Sequence, residues 1–321
     1  MAYYAGVDLG ATNVRAVISD GDGTVLGRDR RSTPQGPTGI AVTEAVLETV
    51  RTACGAAEVD PDEVAAAAVG SFGPLDLAEG TVTRPANLPD SVEVIPLTGP
   101  LGNLVDGPVY LHNDTDAGVI GERFYSKRNP DNMVYLTISS GIGAGICVDG
   151  NVLAGWDGNA GEVGHVTLDP GGVMECGCGG RGHWEAYCSG NSIPRYARAL
   201  HDGETTELSL EESSFSAADV FSAAGEDTFA DRVLDRVATW NARGVATVVD
   251  AYAPIVVYVG GAVAINNSDL VLGELRERVP ELVFSNVPEI RLTTLGDDVV
   301  LRGALASAMT SGTGDRRLLN R

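Results

Sequence analysis

The chain alternates short apolar runs with polar, glycine-rich turns, and this pattern predicts its elements. Residues 3–8 and 14–20 predict two strands, and a third is expected near 25–31, after the DGDG turn at 20–23. Later apolar runs predict strands at 64–70, 108–114, 132–138, 255–264 and 290–294. Stripes at helical spacing predict helices at 40–54, 115–125, 191–201, 229–252 and 300–311. Strands that alternate with helices in this way are typical of an α/β protein.

Two glycine-rich turns have the same setting in this pattern. The turn at 8–13 and the turn at 139–145 each lie between two apolar runs, and the similarity indicates two related halves. Glycine lets backbone N–H groups approach phosphate oxygens, Thr12 adds a hydroxyl, and Asp8 can hold Mg²⁺. Each half would then offer one phosphate-binding hairpin to a nucleotide. Taken alone, D-x-G-x-T fits an ordinary hairpin equally well.

The charge of the chain limits its partners. Its 321 residues include 44 acidic and 22 basic side chains, for a net charge of −22, and Lys127 is the only lysine. Such a surface opposes binding to nucleic acids and to anionic membranes. The composition resembles that of proteins from salt-loving organisms, in which concentrated salt screens self-repulsion. We therefore favour a halophilic protein over an ordinary acidic one and expect its stability to rise with KCl.

The cysteine pattern and the lack of any signal-peptide or transmembrane pattern predict a protein of the reducing cytoplasm. The five cysteines do not form a disulfide framework in a chain of this length, and Cys54 and Cys147 lie in apolar patterns that predict the core. The sequence shows neither a signal peptide nor a stretch typical of a transmembrane helix.

The stretch Gly161–Glu185 contains the candidate metal ligands of the chain. It contains a possible ligand set of two histidines and two cysteines, namely His165, Cys176, Cys178 and His183. C-x-C-x4-H after an isolated histidine predicts a closed, tetrahedral structural zinc site rather than four unrelated polar residues. A zinc hydrolase is disfavoured, because four protein ligands leave no position for water. The interleaved acids Glu162 and Glu185 would be positioned by the same ion.

Three further motifs suggest ligand contacts. Asp114 ends a predicted strand just before a helix. It is a candidate base that accepts the proton of a substrate hydroxyl, or else it caps the N-terminus of the helix. Asn87, in the rigid loop PANLP, is expected to contact a ligand or to cap a turn. Gly260-Gly261 follows an apolar strand and allows either the close approach of adenosine or a tight strand-to-helix turn.

Taken together and in this order, the motifs resemble the ROK family of sugar kinases and sugar-responsive repressors. The motifs are DLGATN, HND, SSGIGAG, E-x-x-H, C-x-C-G-x-x-G-H-x-E and VGGA, and they cover nearly the whole chain. The resemblance implies an actin/hexokinase-like (ribonuclease H-like) α/β fold, with two domains, a cleft between them, and assembly as a homodimer or homotetramer. We expect domains at 1–115 and 116–299, with the C-terminal helix at about 300–321 packed back on the first.

The resemblance also implies a role for each matching residue. Asp114 is the catalytic base, and the implied sugar contacts are Asn87, Asn113, Asp114, Glu162, His165 and Glu185. ATP and Mg²⁺ are assigned to Asp8, Gly10, Thr12, Asn13, Ser140, Gly141, Gly143, Gly260 and Gly261. The family's structural zinc set is one histidine with three cysteines, and His183 stands here in place of the third cysteine. Ala11 and Ser140 are mild departures, because Gly and Thr are common there.

The implied activity is phosphoryl transfer from Mg·ATP to a hexose hydroxyl. Glucose, at its 6-position, is the first expectation, and N-acetylglucosamine, N-acetylmannosamine, fructose and other phosphate donors are alternatives. A sugar-sensing repressor would need a DNA-binding segment before Asp8 and the opposite charge. A non-catalytic sugar-binding protein would not need Asp114 and both phosphate loops.

Overall fold

The computed structural model describes residues 2–320. Its first elements are β1 (Tyr3–Leu9), β2 (Asn13–Ser19), β3 (Val25–Ser32), α1 (Gly39–Ala57), β4 (Val64–Ser71), β5 (Leu75–Asp76), β6 (Thr81–Thr83), β7 (Val94–Pro96), α2 (Thr98–Gly102), β8 (Val109–Asn113) and α3 (Asp114–Tyr125). The second part of the chain contains β9 (Met133–Ile138), β10 (Ile142–Val148), β11 (Asn151–Val152), α4 (Glu185–Cys188), α5 (Ile193–Leu200), α6 (Ala217–Ser222), α7 (Thr228–Tyr252), β12 (Val256–Gly260), α8 (Ala262–Asn266), α9 (Ser268–Arg278), β13 (Glu289–Leu292) and α10 (Val299–Met309).

Three predictions about the elements are corrected. The apolar run predicted as one strand to residue 264 ends as a strand at Gly260, and its remaining residues begin α8. The turn predicted at 139–145 is shorter, because β10 already begins at Ile142. The predicted loop at 81–90 includes β6, which pairs with β5 and β7 in a small antiparallel sheet.

The chain divides into two compact units. The first comprises Met1–Asp131, Gly145–Gly161 and Asp297–Arg321, and the second comprises Asn132–Ala144 and Glu162–Gly296. The first division therefore falls at Asp131 rather than at residue 115. The reason is that α3 packs against α10 within the first unit. Gly303 permits this close contact, since a Cβ there would lie 1.7 Å from the Ala117 carbonyl oxygen.

The first unit is built on a sheet of order β3-β2-β1-β4-β8. The strands β1, β4 and β8 run parallel, while β2 and β3 form an antiparallel extension. The helix α1 packs on β2 and β3, and α10 packs on β1 and β4. Valine, alanine and leucine fill the core, and Cys54 and Cys147 are buried as predicted.

The second unit contains the parallel strands β9, β12 and β13. β10 begins in this unit and continues into the first unit, where it pairs with β11. The long helix α7 is amphipathic, and it packs against α4, α5, α6 and α9. Among the helices of residues 2–320, none combines the length and apolar character needed to cross a membrane.

The partly buried His112 of the first unit is expected to make stability depend on pH. Its Nε2 lies 2.7 Å from Ser307 Oγ, and burial lowers the pKa of the imidazole to about 4. Between about pH 6.5 and 4 the unfolded chain binds a proton that the folded protein does not, so stability falls as pH decreases through this window.

We expect His112→Gln to remove this dependence. In urea unfolding from pH 7 to 4.5, the wild type should lose up to about 1.4 kcal/mol per pH unit more than the variant. The comparison between the two proteins cancels the titration of the carboxylates that they share. Equal slopes would show that His112 is not responsible.

Candidate active site

Strand register places two predicted site segments on one edge of the first sheet. Leu9 of β1 pairs with Ser71 of β4, and Ser71 in turn pairs with Asn113 of β8. The three strands are parallel, so all three chains leave the sheet at the same edge. At the usual strand spacing, the ends of β1 and β8 are roughly 10 Å apart. The glycine turn after β1 and Asp114 after β8 therefore lie at the same edge.

The first glycine turn is a tight hairpin held from outside by residues that the sequence did not suggest. Within the hairpin, Gly10 N–H donates to Asn13 O at 2.9 Å. Thr33 clamps the turn, because its Oγ1 donates to Gly10 O at 2.6 Å and its N–H donates to Thr12 O at 2.9 Å. Gln35 Nε2 donates to Ala11 O at 3.0 Å. The turn is thus held by residues that directly follow β3, while the Thr12 side chain stays exposed.

The Asp8 carboxylate is paired with Arg15 across the same hairpin. Arg15 Nε and Nη2 donate to Asp8 Oδ2 at 2.9 and 2.7 Å. The guanidinium also donates to Asp298 Oδ1 at 2.7 Å and to the Asp297 carbonyl at 2.6 Å. Burial raises the pKa of Asp8, and Arg15 opposes that shift. Arg15 thus joins the hairpin to the segment that leads into α10.

Asn113 and Asp114 form the start of α3. Asn113, rather than Asp114, is the N-cap: its Oδ1 accepts hydrogen bonds from Thr115 N at 3.1 Å and Thr115 Oγ1 at 3.0 Å. Asp114 is the first helical residue, and its Oδ1 accepts from Thr115 N at 2.7 Å. The N-terminal end of a helix favours a negatively charged side chain. A carboxylate is therefore held in a fixed orientation at this edge.

Asn159 is a polar neighbour of Asn113 that sequence reasoning missed. It pairs with Leu75 on both backbone groups, accepting the N–H at 3.1 Å and donating to the carbonyl at 3.3 Å. A Cβ on Gly73 would lie 3.2 Å from Asn113 Nδ2 and 3.6 Å from Asn159 Oδ1. Two amide side chains therefore lie beside the loop after β4. Asn87 is exposed on a separate loop.

In the second unit, register brings the other two glycine motifs together. Gly260 at the end of β12 pairs with Thr137 near the end of β9, so Ser140, Gly141 and Gly261 lie at one sheet edge. Gly261 has φ +86°, and a Cβ there would lie 2.5 Å from Ile138 O. The glycine pair thus forms a tight strand-to-helix turn against β9. Gly143 lies within β10.

Glu185 connects the metal loop with the second glycine turn. It is the first residue of α4, and its Oε2 accepts the Ile142 N–H at 2.9 Å. Its Oε1 accepts a hydrogen bond from Cys176 Sγ at 3.7 Å. The carboxylate is therefore oriented by the turn itself as well as by the metal loop.

The four predicted metal ligands form one cluster. One ligand atom from each of His165, Cys176, Cys178 and His183 lies within 4.8 Å of all the others. Cys176 Sγ is 3.6 Å from His165 Nδ1, and Cys178 Sγ is 3.3 Å from His183 Nδ1. In a tetrahedral zinc site, sulfur and nitrogen ligands lie about 3.6 Å apart. The donor set and its spacing fit zinc, including His183 in the fourth position.

The other predicted sugar contact, Glu162, lies beside this cluster. Its Oε2 is 3.8 Å from Nε2 of the metal-ligand candidate His165. Partial burial raises the pKa of Glu162, His165 opposes the shift, and Glu185 adds to it. Burial also raises the pKa of the Cys176 thiol to about 11, so an ion must displace its proton to bind sulfur as thiolate.

Further contacts hold the loop around the cluster independently of the metal ligands. Tyr187 Oη donates to Asp169 Oδ2 at 2.5 Å and accepts the Met174 N–H at 3.0 Å. Trp184, which is 1% exposed, donates from Nε1 to Asn241 Oδ1 at 2.9 Å. The side on which α4 begins is thus anchored to α7.

Two α/β units, each with a glycine turn at one sheet edge, are typical of the actin/hexokinase-like class, and the similarity to the ROK kinase structures described below confirms the predicted fold class. The ROK family model matches residues 4–311, so the chain belongs to the ROK family.

The chain is similar to named sugar kinases over nearly its whole length. It is 40% identical to a glucokinase of Pyrobaculum calidifontis, with 96% of this chain and 95% of the relative covered. A ROK hexokinase structure from Thermus thermophilus has 32% identity and a TM-score of 0.79, with 95% of this chain and 97% of that chain covered. A ROK glucokinase from Streptomyces griseus, solved with glucose and AMPPNP, has 27% identity and a TM-score of 0.72, with coverages of 96% and 99%.

Proposed function

We propose that the chain is a glucokinase that transfers the γ-phosphoryl group of ATP to the 6-hydroxyl of glucose. The observation that carries this proposal is the carboxylate of Asp114, fixed at the start of α3 on the sheet edge where the first glycine hairpin begins. The 40% identical relative is named a glucokinase, and the Streptomyces griseus structure contains glucose with an ATP analogue.

In this mechanism Asp114 accepts the proton of the attacking hydroxyl. Asn113 uses its Oδ1 as the helix cap, so its Nδ2 is the group available to donate to the sugar. Asn87, Glu162, His165 and Glu185 are proposed to bind the other hydroxyls. Positioning and charge neutralisation supply most of the rate, because phosphoryl transfer needs little covalent assistance.

ATP is proposed to bind through the backbone of the two glycine turns, with adenosine at Gly260-Gly261. The other residues that we propose to contact ATP or its Mg²⁺ are Asp8, Gly10, Thr12, Asn13, Ser140, Gly141 and Gly143. Asp8 and Thr12 offer the oxygen donors that Mg²⁺ prefers, and a bound Mg²⁺ would neutralise phosphate charge. Arg15 occupies Asp8 Oδ2, so Oδ1 is the proposed contact for the ion or its water.

We also propose that zinc, held by His165, Cys176, Cys178 and His183, has a structural role. The protein is proposed to act in the cytoplasm as a homodimer or homotetramer, without nucleic-acid or membrane partners. The geometry of the His/Cys cluster supports the proposed zinc site. The net charge of −22 supports the absence of nucleic-acid and anionic membrane partners.

A coupled assay of ADP formation with a panel of sugars tests the activity. Glucose should give the highest kcat/KM, with N-acetylglucosamine, N-acetylmannosamine and fructose as competitors. A sugar-responsive regulator or a binding protein would bind sugar without producing ADP. ADP formation that does not depend on any sugar in the panel would also contradict the proposal.

The charge of the chain leads to a prediction about salt. If the protein is halophilic, raising KCl from 0.1 to 2 M should raise its unfolding temperature by at least about 5 °C, because salt screens repulsion among the acidic groups. Differential scanning calorimetry with and without KCl measures the shift. An unfolding temperature independent of KCl would identify an ordinary acidic protein.

A further inference from the structure

A cavity lies in the second unit, among α6, α7 and α9. Its volume is about 390 Å³, within the usual range for small-molecule sites. Its walls are mainly apolar and are formed by Phe221, Leu234, Val237, Ala238, Val271 and Leu275. None of the proposed sugar, ATP or metal residues among residues 2–320 lines it. The proposed glucokinase reaction therefore leaves this cavity unexplained.

One buried polar side chain faces the cavity. Asn241 lines it and is only 4% exposed. Its Oδ1 accepts the hydrogen bond from Trp184 Nε1, and within residues 2–320 its Nδ2 has no hydrogen-bond partner. The Nδ2 atom is not fully enclosed, so it is accessible from the cavity. A ligand with a carbonyl, ether or hydroxyl oxygen would supply an acceptor there in place of water.

The rim of the cavity selects against anions. It carries three acidic residues, Asp231, Asp235 and Glu274, and one cation, Arg278. The guanidinium is already occupied, since it donates to Asp235 Oδ1 at 2.7 Å, to Glu274 Oε2 at 2.5 Å and to Thr239 Oγ1 at 2.9 Å. The excess negative charge favours a neutral or cationic ligand over a carboxylate or phosphate.

Asn241 also connects the cavity with the metal loop. Its partner Trp184 is fully buried and lies between His183 and Glu185 in the chain. A ligand that bonds to Asn241 Nδ2 would fix the amide that holds the indole. The indole in turn sets the position of Glu185, which the proposed function assigns to the sugar.

We propose that this cavity is an effector site for a small, mainly apolar, uncharged or cationic molecule with one oxygen acceptor, and that Asn241 and Trp184 couple it to sugar binding. The binding claim stands independently of the reaction, whereas the coupling claim rests on the proposed function.

Three probes of one shape test the binding claim. They are 2-acetylnaphthalene, which has the acceptor, 2-ethylnaphthalene, which lacks it, and 2-naphthoate, which is an anion. By equilibrium dialysis we expect the ketone to bind with a Kd of about 10–100 µM and the ethyl compound about tenfold more weakly. The naphthoate should bind more weakly than both. Equal affinity for all three would overturn the proposed chemistry.

Three variants locate the site. Ala238→Phe fills the cavity and should abolish ketone binding, whereas Arg236→Phe, at an exposed position of the same helix outside the cavity, should not change it. Asn241→Leu removes the donor and should equalise the affinities for the ketone and the ethyl compound. Undiminished binding to Ala238→Phe would place the probe elsewhere. Affinity that falls as protein concentration rises would indicate that a second copy covers the mouth, contrary to the proposal.

The coupling claim is measured in the glucose assay. Saturating ketone should change the KM for glucose at least about twofold in the wild type and in Arg236→Phe, but not in Ala238→Phe. Binding with an unchanged KM would overturn the coupling. A protein that does not phosphorylate glucose would refute the proposed function instead, and the dialysis result would still decide whether the site exists.

Discussion

Asp114→Asn is expected to lower kcat by about two to four decades while the protein folds normally. The amide oxygen of asparagine can still accept the Thr115 N–H that Asp114 Oδ1 accepts at 2.7 Å, so the start of α3 is retained. Asn113 continues to cap the helix through its own side chain. What the variant loses is a carboxylate able to take the proton of the attacking hydroxyl. The KM for glucose should change much less than kcat, because the shape of the site is preserved.

Steady-state kinetics with thermal unfolding of the same samples separates catalysis from folding. Asp269→Asn is a matched control, because Asp269 is an exposed acid in the first turn of another helix, α9. The control should keep wild-type kcat, KM and unfolding temperature. Near-wild-type turnover in Asp114→Asn would remove Asp114 from the role of base. A strongly lowered unfolding temperature would show instead that its role is structural.

Local patterns in the sequence predicted most elements and the metal cluster. Apolar runs of strand length and helical stripes located β1, β4, β9 and α7, because burial imposes these periods on the sequence. The metal cluster was predictable because its ligands are close in the chain, and the spacing C-x-C-x4-H constrains the loop. Hydrophobicity alone did not divide the apolar run into β12 and α8, since both segments contain buried apolar residues, and the glycine pair offered the turn between them only as one of two interpretations.

Contacts between residues that are distant in the chain could not be predicted from the sequence. Arg15 bonds to Asp298, and Asn159 bonds to Leu75; these pairs depend on chain folding rather than on local spacing. The boundary at Asp131 has the same origin, because α3 joins the first unit mainly through its contact with α10. The cavity among α6, α7 and α9 and the Asn241–Trp184 contact likewise arise from packing between elements that are distant in the chain. The sequence therefore predicted the candidate site residues, whereas the residues that contact and orient them became known only from the fold.

Removal of the proposed zinc is expected to raise the KM for glucose by about tenfold and to lower kcat less. His165 is a metal ligand in this proposal, and Glu162 lies 3.8 Å from it, so loss of the ion frees both side chains. Glu185 should move less. Ile142 N–H still binds its carboxylate, and the contacts of Trp184 with Asn241 and of Tyr187 with Asp169 still anchor the chain around α4.

His183→Gln tests this prediction without a chelator, and His201→Gln is the matched control. His201 is a partly buried imidazole of the same unit, bonded through Nε2 to Glu204 O and outside the metal cluster. His183→Gln should lose most of the zinc measured by atomic absorption and show the raised KM, while His201→Gln should retain both wild-type values. An unchanged KM in protein shown to lack zinc would mean that the contacts around Asp169 and Asn241 hold the loop by themselves. The ion would then have no part in sugar binding.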